Sequence, residues 1–310
     1  MKNIKIVSTG KYLPANVVTN TDMSLIVDTS DEWIYSRTGI KERRQAIGEE
    51  TVDMAYKAAL DAIKRANYDI DKIDLVIVAS ITQEDKTPSI ANKVVGMLGI
   101  KREIMSFDIN AACTGYVYGL EIASALLSSS NHYSALVIGS ERLSGILDYS
   151  DRNTCVLFGD GAGASIIERS NDAADEVFFV NNSRPDKVDA LTVDKYIKMD
   201  GKKVYQFAVE VLSKQIKAVL EKANLTISDI DMIISHQANM RIIKSVSNSL
   251  EISMDKFLMN IDKYGNTSAA SIPILLSEYE FTKKKAKVLM VGFGGGFTYG
   301  AAIMNVEGVK

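Results

Sequence analysis

Two cysteines and two histidines are the whole stock of thiol and imidazole in the 310-residue chain, so their settings decide which nucleophilic chemistry is open to it. Cys113 sits in NAACTGY (110–116), where an apolar strand pattern ends and a helical one begins. A thiol there faces unpaired N–H groups and the positive end of the helix dipole. Both favour thiolate and are expected to hold the pKa below the value of about 8.5 of a free cysteine. The competing reading is a small buried hydrophobe, the common fate of free cysteine. Cys155, in the apolar stretch TCVLF (154–158), reads as a strand residue and is assigned to packing. His132, in SSSNHYS, reads as surface. His236 closes the apolar run DMIIS and opens the helical stretch HQANMRII. The carboxyl end of a buried strand is where α/β proteins place functional groups.

Asn266 lies in KYGNTSAASIP (263–273), where turn chemistry explains an asparagine equally well. The small residues Thr267 to Ser271 predict a helix packed tightly against neighbouring backbone. GFGGGFTYG (292–300) lacks the P-loop lysine and precedes a strand, so it is a poor phosphate cradle. It suits a loop whose backbone approaches an active site closely. A Cys-His-Asn set in this chain order is open to a papain-like protease reading. The mid-chain cysteine lacks that family's local surround, which argues against it. No metal-ligand cluster is visible.

These residues need elements to position them. Residues 3–9, 72–80, 134–141, 154–168 and 227–235 read as strands, and 51–67 and 204–224 as helices; their alternation predicts a layered α/β fold. The second half echoes the first. AN-YDIDKIDLVIVAS (66–80) aligns with AN-LTISDIDMIIS (223–235), and GASII (163–167) resembles GAAIM (300–304). Strand–turn–helix patterns recur at 107–128 and 258–280, with Cys113 falling near the position of Asn266. Internal duplication is the economical explanation, with halves at 1–168 and 169–310 and a linker-like polar stretch at 169–189. Apolar residues make up 46%, charged residues 24% and net charge is −3, so no basic field argues for nucleic acid. Two cysteines cannot make a disulfide framework, which suggests a cytosolic setting. The N-terminus has no secretory h-region and no run is long enough to span a membrane.

DTSDEWIYSRTGIKERR, NAACTGY, DRNTCVLFGDGAGA, SHQANMRI, YGNTSAASIP and GFGGGFTYG together resemble β-ketoacyl-acyl-carrier-protein synthase III, in the family's order from residue 28 to 300. The resemblance implies a duplicated thiolase-like fold, layered α-β-α-β-α with two pseudo-symmetric halves, and a homodimer. It implies an acyltransferase that starts fatty acid synthesis: an acyl-CoA primer acylates Cys113, then malonyl-acyl carrier protein loses carbon dioxide and attacks the thioester. His236 and Asn266 would serve the decarboxylation, and the N–H groups of Cys113 and Gly295 an oxyanion hole. Thr29, Trp33, Arg37, Arg152, Gly201, Ala238 and Asn239 would bind CoA. Gln237, Ala238, Asn239, Met240 and Arg241 would meet the carrier protein, with Lys244 adding charge on the same helical face. Thr87 and Phe293 would line the acyl pocket. No metal or resident cofactor is implied.

The chain departs from that pattern in places. The stretch 171–198 is shorter than in typical members and Lys202 stands where asparagine is common. Thr87 replaces a bulky aromatic, which predicts a roomier acyl pocket. These departures leave open a related ketosynthase of secondary metabolism and, more remotely, a non-catalytic thiolase-like partner protein.

Overall fold

The run IDLVIVA has long and β-branched aliphatic side chains at nearly every position and no polar face to turn outward. Such a run is stable with both faces covered. The structure is a computed structural model that describes residues 3–186, 188–279 and 283–308. It sets this run between two parallel neighbours. The start of the first expected half, the end of the second, residue 187 of the polar stretch and Glu280 at the end of the 258–280 repeat lie outside the described residues.

Among the described residues ten strands form one sheet: β1 (Ile4–Tyr12), β2 (Ile73–Ala79), β3 (Met105–Ile109), β4 (Ser134–Glu141), β5 (Gly161–Arg169), β6 (Phe178–Ser183), β7 (Met232–Ser235), β8 (Phe257–Leu258), β9 (Lys285–Gly294) and β10 (Thr298–Glu307). One end runs β3-β2-β4-β5-β1 and the other β8-β7-β9-β10, with β6 on β10. Each strand of the second series follows its counterpart by five, and the pairing senses repeat too. β2 is parallel to β3 and β4, and β5 antiparallel to β4 and β1. Likewise β7 is parallel to β8 and β9, and β10 antiparallel to β9 and β6. The half-sheets meet where β1 runs parallel to β10, Lys5 opposite Asn305 and Ile6 opposite Val306.

The helices that bear on the site are α1 (Asp31–Thr38), α2 (Thr51–Arg65), α3 (Ile90–Leu98), α4 (Gly115–Ser129), α5 (Gly201–Ala223), α6 (Met240–Leu250) and α7 (Ser271–Glu278). α4 and α7 touch strands of both half-sheets, whereas α2 covers the outer face of the first and α5 that of the second. This is the expected α-β-α-β-α layering. In the middle layer α7 is buried from Ser271 to Ser277 and largely apolar, as a helix covered on every side must be, while α4 buries one face and leaves Glu121 half-buried on the other. Tyr116, Val117 and Leu120 of α4 and Ile272 and Leu275 of α7 pack with Ile77, Val137, Met290 and Met304. Gly139 in β4 permits this closeness, since a Cβ there would lie 2.3 Å from the Ala269 carbonyl oxygen.

Two expectations are corrected. Residues 154–157 form turns and not a strand, although Cys155 is buried beside Ile34, Ile40 and Val156, as a packing residue should be. The 169–189 stretch is no linker, because its apolar core VFFV supplies the first half of β6, which pairs with β10. The helix–strand repeat holds in detail. Asn67 and Asn224, at the ends of α2 and α5, both adopt left-handed backbone, φ 46° and 52°, a conformation asparagine tolerates.

Candidate active site

β3 turns sharply into α4, and the turn carries the cysteine. Asn110 Oδ1 accepts the Ala112 N–H at 3.3 Å, Ala112 is left-handed at φ 47°, and one 3₁₀ turn (Ala112–Thr114) leads into the helix. The second half repeats the device. Asn266 Oδ1 accepts the Ser268 N–H at 2.8 Å, Ser268 is left-handed at φ 50°, and a 3₁₀ turn (Ser268–Ala270) leads into α7. Left-handed backbone in such residues costs about 1–3 kcal/mol and persists where the surroundings fix it. The structural counterpart of Asn266 is therefore Asn110, and that of Cys113 is Ala269. The expected match between Cys113 and Asn266 is three residues out of register.

Cys113 is buried yet borders two cavities. Burial pushes its thiol up to about 12, the Ser268 hydroxyl favours the ionised form, and the charge of Glu141 opposes it. The expected depression of the pKa is thus reversed, because desolvation of a thiolate outweighs the helix start. His236 follows β7, held by its N–H to the Val291 carbonyl at 2.8 Å. Its Nδ1 lies 2.7 Å from Ser271 Oγ, and the Phe293 ring meets it edge-on at 5.6 Å. Burial lowers its pKa to about 3, so the ring is neutral near pH 7. Asn266 is fixed through its backbone to Leu157 and Gly159. With Oδ1 occupied by Ser268, its carboxamide nitrogen is left for the cavity.

Cys113, His236 and Asn266 come together along one narrow cavity of about 120 Å³, with Phe293 and Gly294. Gly201, Tyr205 and Asn239 border both this cavity and a wide mouth of about 830 Å³, where Trp33, Arg37, Lys202 and Arg241 lie. Arg37 and Arg152 rest on the Trp33 ring, their guanidinium carbons 4.7 and 5.0 Å from its centroid. Arg152 is anchored on the Asp28 carbonyl at 2.8 Å, next to Thr29. Ala238 borders the narrow cavity, and Asn239 caps α6 while donating to the Arg37 carbonyl at 3.0 Å. On the other side of the sulfur a cavity of about 340 Å³ is lined by Leu143, Phe158, Leu191, Ile197, Ser268 and Gly295.

Four expected residues are placed differently. Gln237 is 1% exposed, its amide spent on the Ser235 carbonyl and the Asn260 N–H, so it has no surface to offer a carrier. Met240 is half-buried against Gly39. Thr87 is exposed, just before α3, and does not line the 340 Å³ cavity of its own chain, whereas Phe293 belongs to the narrow cavity. His132 is half-buried rather than a surface residue. Glu141, Ser268 and Ser271 carry no functional signal in the sequence, where an acidic strand end and two serines in a small-residue run look like ordinary packing. Among the described residues no group of His, Cys, Asp or Glu is placed to hold a metal ion.

A duplicated five-layer α/β fold, with a cysteine at one central helix and a histidine and asparagine brought to it from the other half, defines a thiolase-like acyl-transferring condensing enzyme. Residues 107–183 match the family described as 3-oxoacyl-[acyl-carrier-protein] synthase III, and residues 220–306 its C-terminal part. The chain is 58% identical to a β-ketoacyl-[acyl-carrier-protein] synthase III of Acholeplasma laidlawii, over 99% of this chain and 100% of that one. A Clostridium botulinum relative of the same name is 46% identical, covering 97% and 98%. The crystal structure of 3-oxoacyl-[acyl-carrier-protein] synthase III from Aquifex aeolicus superposes with a TM-score of 0.94 at 44% identity, covering 97% and 99%. The priming β-ketosynthase of the R1128 polyketide pathway gives 0.93 at 30%, covering 99% and 97%. The chain belongs to the 3-oxoacyl-[acyl-carrier-protein] synthase III family.

Proposed function

We propose that the chain carries out the initiating condensation of fatty acid synthesis, with Cys113 as nucleophile and His236 with Asn266 as the decarboxylation pair. The thiolate of Cys113 attacks the carbonyl of an acyl-CoA, the Cys113 and Gly295 N–H groups receive the oxyanion, and CoA departs with a proton. Malonyl-acyl carrier protein then enters, and loss of carbon dioxide leaves an enolate. Its oxygen accepts from Nε2 of neutral His236 and Nδ2 of Asn266, donors of the kind that stabilise developing charge. The enolate carbon attacks the acyl thioester, and Cys113 leaves as thiolate. The step balances without a resident metal or cofactor.

One observation carries this reading: the three side chains border one narrow cavity, and Ser271 and Ser268 occupy the other nitrogen and oxygen of the pair. The acyl group takes the 340 Å³ cavity, roomy enough to accept primers longer than acetyl. The pantetheine arm takes the narrow one, and the nucleotide sits at Trp33, Arg37 and Arg152. Arg241 and Lys244, exposed on α6, favour an acidic carrier. A homodimer would cover β3, an edge strand with Met105 45% exposed and Phe107 half-buried, since open edges invite pairing. An acyl-pocket role for Thr87 would then operate across that interface. The repeat of strand order supports two halves within one chain, the change falling between β5, which ends at Arg169, and β6, close to the proposed 168/169. Among the described residues no helix is long and apolar enough to cross a membrane, and two buried free cysteines suit a cytosolic enzyme. The likeness to a polyketide priming enzyme speaks for a secondary-metabolism role, but the more similar relatives carry the synthase III name.

The test is stepwise. Labelled acyl-CoA should leave a thioester on the protein, and malonyl-acyl carrier protein should convert it to β-ketoacyl product. Cys113→Ser should form no adduct, and His236→Ala should keep the adduct and lose carbon dioxide release. An adduct that persists in Cys113→Ser would refute the assignment.

A further inference from the structure

Glu141 ends β4 with its side chain wholly buried in the wall behind Cys113. A buried carboxylate is costly unless its oxygens are satisfied, and here they are satisfied unequally. Oε2 accepts from the Ile81 N–H at 3.1 Å, Thr82 Oγ1 at 2.9 Å and Ser80 Oγ at 3.3 Å. Oε1 has one partner among the described residues, Ser268 Oγ at 2.9 Å. Ser268 lines the 340 Å³ cavity together with Cys113, and its hydroxyl favours the ionised form of that thiol. Ser268 is itself pinned, its N–H on Asn266 Oδ1 and its backbone in the left-handed region.

We propose that Ser268 and Glu141 form the path by which the Cys113 thiol gives up its proton, with Ser268 touching the reacting sulfur and Glu141 acting through it as a positioning residue and proton acceptor. This rests on Cys113 being the nucleophile. In the resting arrangement the thiol S–H points at Ser268 Oγ and the serine O–H donates to Glu141 Oε1. As the sulfur attacks, the S–H bond breaks and its proton goes to Ser268 Oγ, while the serine proton goes to Oε1. The serine ends neutral, now donating to the thiolate, and Glu141 ends protonated. The site carries one negative charge before and after. Release of the proton to solvent would instead place two anions in one dry pocket, a strongly unfavourable pairing. Burial, which raises the Glu141 pKa to about 7, makes it a better acceptor than an exposed carboxylate. The reverse shuttle returns the proton when CoA or the condensation product leaves.

The two half-reactions separate this role from a structural one. Acylation needs the thiolate formed, whereas decarboxylation on an enzyme already acylated does not. Glu141→Gln and Ser268→Ala should each slow labelled adduct formation from acyl-CoA by about 10²-fold, at the lower end of what positioned proton transfer contributes. Carbon dioxide release from malonyl-acyl carrier protein, measured on acylated protein, should stay within about twofold of wild type by the same reasoning. Glu141→Asp should recover part of the loss, and the double variant should be no slower than either single one, because both break one path. Equal losses in both half-reactions, or acylation at the wild-type rate in either variant, would overturn the relay. Ser268→Ala keeps the backbone bond to Asn266 and guards against a folding defect in Glu141→Gln. An adduct that does not depend on Cys113 in wild type would instead sink the nucleophile assignment.

Discussion

Nδ1 of His236 lies 2.7 Å from Oγ of Ser271, the first residue of central helix α7. The Gln237 N–H approaches the same oxygen at 3.4 Å. With its oxygen receiving that N–H, Ser271 has its own hydrogen free to donate to Nδ1, and the tautomer that accepts it carries the imidazole proton on Nε2. A neutral histidine is then a donor toward the cavity, which is what an enolate requires.

Ser271→Ala should therefore cut carbon dioxide release by about tenfold, and His236→Ala by about 10²–10³, the range for loss of an oxyanion donor. Acyl-adduct formation should be nearly unchanged in both. A parallel fall of the two rates would count against the tautomer role.

The pH dependence of stability has a definite sign. His236 at about 3 in the native state titrates near 6.5 when unfolded. Between these values the unfolded chain holds a proton the native state lacks, so stability rises with pH across that window and is lost as pH falls through it. Glu141, raised from 4.5 to about 7, acts oppositely and weakens the fold as pH rises through its window. Comparison with a variant isolates the first effect. The urea-unfolding advantage of wild type over His236→Asn should grow by on the order of 4 kcal/mol between about pH 3.5 and 7, at about 1.4 kcal/mol per pKa unit. A constant difference would contradict the buried neutral ring.

Gly294 should tolerate no side chain. A Cβ there would sit 2.7 Å from the Cys113 backbone nitrogen and 3.0 Å from Ala112 Cβ. Gly294→Ala must push the cysteine turn away, and a shift approaching 1 Å costs about 10²-fold in rate. Stopped-flow acylation measures this directly, and a rate within twofold of wild type would be inconsistent with the close approach.

Binding at the mouth should divide by substrate. Trp33→Ala should raise KM for acyl-CoA by about tenfold, through loss of a stacking face and its cation–π partners. Arg241→Glu should instead raise KM for the malonyl-carrier substrate and blunt its salt dependence. Initial-rate kinetics with each substrate varied would reveal any crossover.

Much of this was legible in the residues alone. Periodicity marked strands and helices, and β4 was read at its observed ends, because a continuous apolar run admits few other states. The duplication showed in AN…IDMII against AN…IDLVI, since both copies close a helix on a left-handed asparagine. Cys113 and His236 stand out in the sequence because reactive side chains at strand ends are rare, whereas Asn266 reads equally as a turn residue and takes its role from the family resemblance of YGNTSAASIP. Other features were hidden in patterns that looked ordinary. VFFV was masked by its polar flanks, so β6 read as linker.

Sequence determined the layering, the repeat and the identity of the three reactive groups, because these depend on local pattern and residue chemistry. Only the tertiary structure decided their electrostatic state and their partners. Whether a cysteine at a helix start ionises depends on how much water its surroundings exclude, and here burial prevails. The facing of Ser268 to Glu141 joins residues 127 positions apart, and no periodicity connects them. Gln237 turned inward and Thr87 outward for the same reason. Burial of a side chain is settled by what distant segments pack over it.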